Sequence, residues 1–115
     1  MTKERAQALL VTPHPRYLEH GDRILRQAVK TRLPAIYFQS VLVENGGLMS
    51  YATNNADEMR HAALYVDKIL KGPKPVELPV EQPTKFEFAI NLKAAKQIGL
   101  TVPPNVLARA DKVIK

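Results

Sequence analysis

Hydrophobic positions along the chain fall into short apolar runs separated by stretches of helical period. Residues 8–12, ALLVT, form one such run, closed by Pro13-His14-Pro15. Two prolines remove amide donors and disfavour helix before them, so a buried strand followed by a turn is expected. From 16 to 32, Tyr17, Ile24, Leu25, Ala28 and Val29 recur at helical spacing, and Pro15 suits a first helical position. Arg26, Lys30 and Arg32 near the end suit the helix dipole, while Gly21 weakens the middle by about 1 kcal/mol relative to alanine. Leu33-Pro34 stops that helix, and AIYF at 35–38 reads as a second strand. Residues 40–45 fit one or two helical turns ended by Gly46-Gly47, and LMSYA at 48–52 reads as a third strand. This alternation predicts a parallel sheet with crossover helices.

The clearest helix follows. Asn55 and Glu58 have the spacing of a capping box, and Met59, Ala62, Ala63, Val66, Ile69 and Leu70 form one apolar stripe. Asp67 and Lys71 are an i,i+4 pair, and Gly72-Pro73 ends the helix. Residues 73–84, PKPVELPVEQPT, hold four prolines and read as a semi-rigid connector. Val76, Leu78 and Val80 alternate within it, which favours an ordered extended strand over a disordered linker. FEFAI at 86–90 alternates more cleanly and is the strongest strand prediction. Asn91 is placed to cap a short helix over 92–98 that Gly99 ends. A last helix is predicted from 102, with Val106, Leu107, Ala110, Val113 and Ile114 as its stripe. The organisation expected is one domain over 1–115: strand–helix alternation at 8–72, a proline-rich crossing at 73–85, and a strand with two helices at 86–115.

Composition narrows the chemistry. The chain has 115 residues and no cysteine, which rules out disulfides, thiolate metal sites and cysteine nucleophiles. The net charge is +6, but it is dispersed: residues 1–32 carry seven basic and three acidic groups, 33–72 three and four, and 73–115 seven and four. No basic arm results, so nucleic acid is not an expected partner and a solvated basic surface is. No apolar run is long enough to cross a bilayer, and Ala8–Val11 is too short for the core of a signal peptide. Read as written, the chain lacks an export signal and would stay in the cytoplasm. His14, His20 and His61 have no metal-ligand spacing, with His61 reading as a boundary residue beside the stripe. No phosphate loop, nucleophile elbow or acid–base pair is present, so neither an enzyme nor a cofactor or metal is expected.

The stretches RLPAIY (32–37), ENGGLMSYA (44–52), the long run 62–103 containing DKILKG and VEQPTKFEFAINLK, and LARADKVI (107–114) resemble the C-terminal part of one family. It is the ABC transporter substrate-binding proteins of the type that includes putative tryptophan/tyrosine-binding lipoproteins, and the resemblance covers nearly the whole chain from about residue 6. It implies an α/β, three-layer, periplasmic-binding-protein-like lobe with a parallel sheet, the partial C-terminal portion of a two-lobed clamshell. In that family small organic ligands, amino acids among them, bind between the lobes without a cofactor, outside the cytoplasmic membrane, and pass to an ABC permease. The family's members are much longer, so a first lobe, half of the second and the export signal or lipid anchor are expected to be missing here. A fragment of that kind would leave apolar faces uncovered and would form a homodimer, swap segments or stay partly molten.

Ligands of open α/β sheets sit at the carboxyl ends of strands. That places Thr12 and His14 after the first strand, Phe38 and Gln39 after the second, and Ser50, Tyr51 and Thr53 at the end of the third. Gln39, Ser50 and Thr53 would hydrogen-bond the ligand, and Tyr51 or Phe38 would stack on it. Against this, Tyr51 and Phe38 also fit core positions and the polar residues fit turn caps, the reading favoured residue by residue. The family run GGLMSYG reads GGLMSYA here, so Ala52 is expected to restrict the backbone and mark a lost turn. Three functions remain open: solute capture for an importer, a non-binding interaction fragment, and a small cytoplasmic regulatory domain.

Overall fold

The computed structural model of the chain describes residues 5–115, which divide into two compact units. One comprises the described residues up to Ala52 together with Glu87–Lys115, and the other Thr53–Phe86.

The first unit holds a five-stranded sheet in the order β1-β2-β3-β4-β5, from Leu9–Leu10, Ala35–Tyr37, Met49–Thr53, Phe86–Asn91 and Lys112–Ile114, the terminal Thr53 of β3 and Phe86 of β4 being counted with the second unit. β1 runs parallel to β2 with Leu9 beside Ala35, β2 parallel to β3 with Tyr37 beside Ser50, and β4 parallel to β5 with Ile90 beside Val113. The α/β architecture with a mainly parallel sheet is as the alternation implied. Its core joins Val11, Leu25, Ala28, Ala35, Tyr37 and Leu42. Burying side chains of this size contributes roughly 1.5–3 kcal/mol for each larger aliphatic or aromatic group.

The helix expected over 16–32 is two. His14 caps α1, Pro15–Glu19, its Nδ1 accepting from the Arg16 amide at 3.2 Å, and α2 restarts at Gly21 and runs to Lys30. Gly21 lies so close to Leu42 that an added Cβ would stand 2.8 Å from its Cδ2, so this glycine serves packing rather than merely weakening a helix. α2 then closes with the Leu33 amide on the Ala28 carbonyl and the Arg32 amide on that of Val29. The same double closure, the Schellman motif, ends α3 (Ser40–Glu44) at Gly46 and α5 (Leu92–Gln97) at Gly99. Gly46 and Gly99 hold the left-handed backbone the motif requires, with φ of 107° and 75°; Arg32 holds it at 53° without a glycine's freedom.

Other corrections follow from tertiary pairing. The last helix, α6, covers only Pro104–Leu107, and Val113 and Ile114 lie in β5. β-branched residues suit a pleated surface. Asp111 fixes the register, its amide donating to the Phe88 carbonyl at 2.9 Å and its carboxylate accepting from the Phe88 amide at 2.8 Å. Ala52 lies within β3 and has no positive φ, so no turn is lost there.

The second unit is α4, Asn55–Leu70, with the chain that follows it. Its cap is Asn54, one residue before the one predicted, whose Oδ1 accepts from the Ala56 and Asp57 amides at 3.0 and 3.3 Å. Glu58 instead accepts from the Thr53 hydroxyl. The strand expected at 76–80 is absent. Pro75–Glu77 form a single 3-10 turn, and Val76 and Val80 are 87% and 98% exposed. Prolines at 73, 75, 79 and 83 remove the donors a ladder would need.

Tyr37 is 2% exposed, and burial raises its pKa above the ordinary 10.0. Below that pH the phenol is neutral whether the chain is folded or not. Above it the unfolded chain loses the proton first and is favoured, so stability falls as pH rises. Urea midpoints at pH 8 and at about pH 10.5 should differ more for the native chain than for Tyr37→Phe. Equal differences would show that this phenol is not the group titrating.

Candidate functional site

The parallel course of β1, β2 and β3 sets the residues that follow β1 and β2 and the end of β3 along one edge of the sheet. The Val11 amide donates to the Ile36 carbonyl at 2.9 Å, so Thr12 and His14 leave β1 at the level where Phe38 and Gln39 leave β2. The Tyr37–Ser50 register brings Tyr51 level with Phe38. Of the residues singled out in the sequence, Thr12, His14, Phe38, Gln39 and Tyr51 therefore share this edge.

Their environments differ. Thr12 and His14 are exposed. The His14 imidazole spends Nδ1 on the α1 cap and lies 5.3 Å from the Tyr17 ring, tilted by 49°. Phe38 is half-buried and packs against the core cluster, while Gln39 precedes α3 with its side chain making no capping bond. Tyr51 is 58% exposed, its ring 6.2 Å from that of Phe88 in an edge-on arrangement at 77°. Such a pair holds an aromatic face in place while leaving much of it exposed. Ser50 is fully buried beside Tyr37 in the register, with no hydrogen-bond partner for its hydroxyl. Thr53 belongs to the second unit, where its hydroxyl is held by Glu58.

Two further aromatic residues, Phe88 and Tyr17, stand near these positions without a sequence signal for it. The period of two puts Phe88 in a strand, but the strand order that sets it against Tyr51 has no local signal. Tyr17 fits a helix stripe by spacing but is 40% exposed beside His14.

The second unit has an open groove of about 570 Å³ between one face of α4 and the chain from Pro75 to Lys85. Thr53, His61, Tyr65, Ile69, Pro79 and Glu81 are among its lining residues. The Tyr65 hydroxyl donates to the Pro79 carbonyl, and the His61 Nδ1 stands 3.6 Å from the Glu81 carboxylate. Desolvation raises the Tyr65 pKa, and the Glu81 charge adds to it. The groove is thus a strap laid on a helix by a few polar contacts. Among the described residues no three imidazoles or carboxylates converge as metal ligands, and no helix is long and apolar enough to cross a membrane.

The sequence profile of the ABC transporter substrate binding protein family matches residues 1–114. Among solved structures, an ABC domain from Streptococcus pneumonia in complex with L-Trp is similar over 98% of this chain and 38% of its own, at 26% identity and a TM-score of 0.88. A conserved domain protein from Vibrio cholerae is similar over 96% of this chain and 37% of its own, at 26% identity and a TM-score of 0.89. The ligand-free, open structure of a Clostridium difficile substrate-binding protein with adhesive properties shares the fold at 21% identity and a TM-score of 0.64. No curated protein sequence matches. The chain spans under two-fifths of the length of these structures and belongs to the ABC transporter substrate-binding protein family.

Proposed function

We propose that this chain supplies one wall of the solute site of an ABC importer's binding protein, and that the solute is a small organic molecule of the aromatic amino acid class. The observation that carries the reading is the sheet edge where Tyr51, steadied by Phe88, offers an exposed ring beside Phe38 and Gln39. The L-Trp held by the Streptococcus relative supports the ligand class, and the family supports an extracytoplasmic setting with a permease as partner. Tyr51 and Phe38 would contact an aromatic face, and Gln39, Thr12 and His14 would offer polar contacts. Capture is non-covalent, with no catalytic residue, cofactor or nucleic acid involved. A second reading, an interacting fragment without a small-molecule ligand, is favoured by one observation, the uncovered apolar face of α4.

Thermal melts against amino acids and small organic solutes separate the two. A ligand of the folded chain adds about 2.7 kcal/mol at a hundredfold excess over its dissociation constant. Aromatic amino acids should raise the midpoint, and Tyr51→Ala should abolish the rise while leaving the unliganded melt cooperative. A midpoint that no solute moves would overturn the binding reading.

A further inference from the structure

We propose that the outer face of α2 and α5 is a docking surface for an anionic lipid bilayer, carried by Arg23, Arg26, Lys30, Lys93 and Lys96. Charge that is dispersed along the sequence is gathered by the fold. The unit Thr53–Phe86 holds five basic and five acidic residues and is neutral. The other unit holds eleven basic and five acidic residues among those described, so the whole net charge of +6 lies there.

Two neighbouring helices present much of it. Ala28 and Val29 of α2 and Ala94 and Ile98 of α5 line one small gap together with Ala35 and Tyr37 of β2, so the helices pack side by side over the same face of the sheet. α2 turns Gly21, Leu25 and Ala28 inward, and α5 turns Ala94 and Ala95. What remains outside is polar: the five cations with Asp22, Gln27 and Gln97, all exposed. Lysines elsewhere use a carboxylate within reach, as Lys112 does with Glu44 and Lys71 with Asp67. Among the described residues none of the five cations is ion-paired, and Arg26 only donates its Nε to the Asp22 carbonyl of its own helix at 3.2 Å.

The chemistry of the face selects the occupant. A small anion needs a concave site with converging donors, whereas these side chains stand out from the surfaces of two helices. A protein partner is anchored through buried aromatic or aliphatic side chains, and this face offers none. Single-stranded nucleic acid stacks its bases on aromatic rings, which the face also lacks. An anionic bilayer requires neither. Its negative surface potential attracts long, mobile Lys and Arg side chains whatever their exact placement. A charged face of this kind is satisfied by water, so no further sequence is needed to cover it. The residues of the solute edge take no part, and the inference is independent of the solute reading.

Co-sedimentation of the 115-residue chain with vesicles tests it, comparing phosphatidylcholine alone with equal parts of phosphatidylcholine and phosphatidylglycerol. The chain should pellet with the anionic vesicles at about 0.05 M salt, leave them at about 0.5 M, and ignore the neutral ones. Each cation removed should weaken adsorption about fivefold, so Lys93→Gln with Lys96→Gln should cost about twenty-five-fold. Arg23→Gln with Lys30→Gln should cost as much. Lys68→Gln with Lys74→Gln removes the same charge from the neutral unit and should change adsorption less than about twofold. All six side chains are exposed, so the variants should melt as the native chain does. No adsorption to the anionic vesicles at low salt overturns the proposal. So does equal adsorption to the neutral ones, or an equal loss in the control pair. Tighter binding to polyglutamate or duplex DNA at the same salt would assign the face to a protein or a nucleic acid and overturn it too.

Discussion

Replacing Gly47 with alanine should cost about 3 kcal/mol, at the upper end of the range for overpacking a filled site. A Cβ there would stand 2.7 and 2.9 Å from two carbons of the Tyr37 ring and 2.8 Å from the Leu42 carbonyl oxygen. The ring belongs to the core and cannot swing aside without opening it. The carbonyl is the acceptor for Gly47's own amide at 2.8 Å, so moving it loosens the closure of α3. Gly46→Ala is the control. Nothing lies within 4 Å of its Cβ position, and its φ of 107° means that only backbone strain is added, about 1–2 kcal/mol. Urea denaturation of the two variants should therefore show the larger loss at Gly47. An equal loss would mean that backbone conformation alone governs this turn.

Asn91→Leu should destabilise the fold by about 2 kcal/mol, although the substitution removes a polar group from a site only 4% exposed. The side chain works at both ends. Its Oδ1 caps α5 by accepting from the Ala94 amide at 3.1 Å, and its Nδ2 donates to the Val43 carbonyl at 3.0 Å, tying α5 to α3. Leucine leaves the buried Ala94 amide without a partner, a cost of about 1–3 kcal/mol. The Val43 carbonyl keeps the Gly46 amide and suffers less. Asn91→Ser retains a capping oxygen and should recover about 1 kcal/mol of the loss. If serine and leucine melt alike, the cap is not what Asn91 supplies.

Local signals carried much of this fold, and the exceptions have a common cause. The Asn91 cap, Gly99 and Gly46-Gly47 were readable because each acts on the backbone beside it. Arg32 ends α2 with the same hydrogen bonds as the two glycines but carries no residue signal for a left-handed turn. Val106 to Ile114 fit a helical stripe by spacing, although Lys112–Ile114 form β5. What decided otherwise was Asp111 meeting Phe88, twenty-three residues away in sequence. Asn54 and Asn55 are chemically equivalent as caps, and only the path of β3 chooses between them. For the candidate site, parallel alternation alone sets Thr12, His14, Phe38, Gln39 and Tyr51 toward the carboxyl ends of their strands. Phe88 is not set in this way, because its place beside Tyr51 depends on strand order. Neither is the burial of Ser50, which alternates with Tyr51 on the sheet and takes the inward face.

The most direct test of a solute site at this edge is a residue-resolved NMR titration of the 115-residue chain with L-tryptophan. Saturable shifts should centre on Phe38, Gln39 and Tyr51, extend to Phe88, and vanish in Tyr51→Ala. No saturable shift, or shifts confined to the groove residues of α4 and its strap, would contradict it.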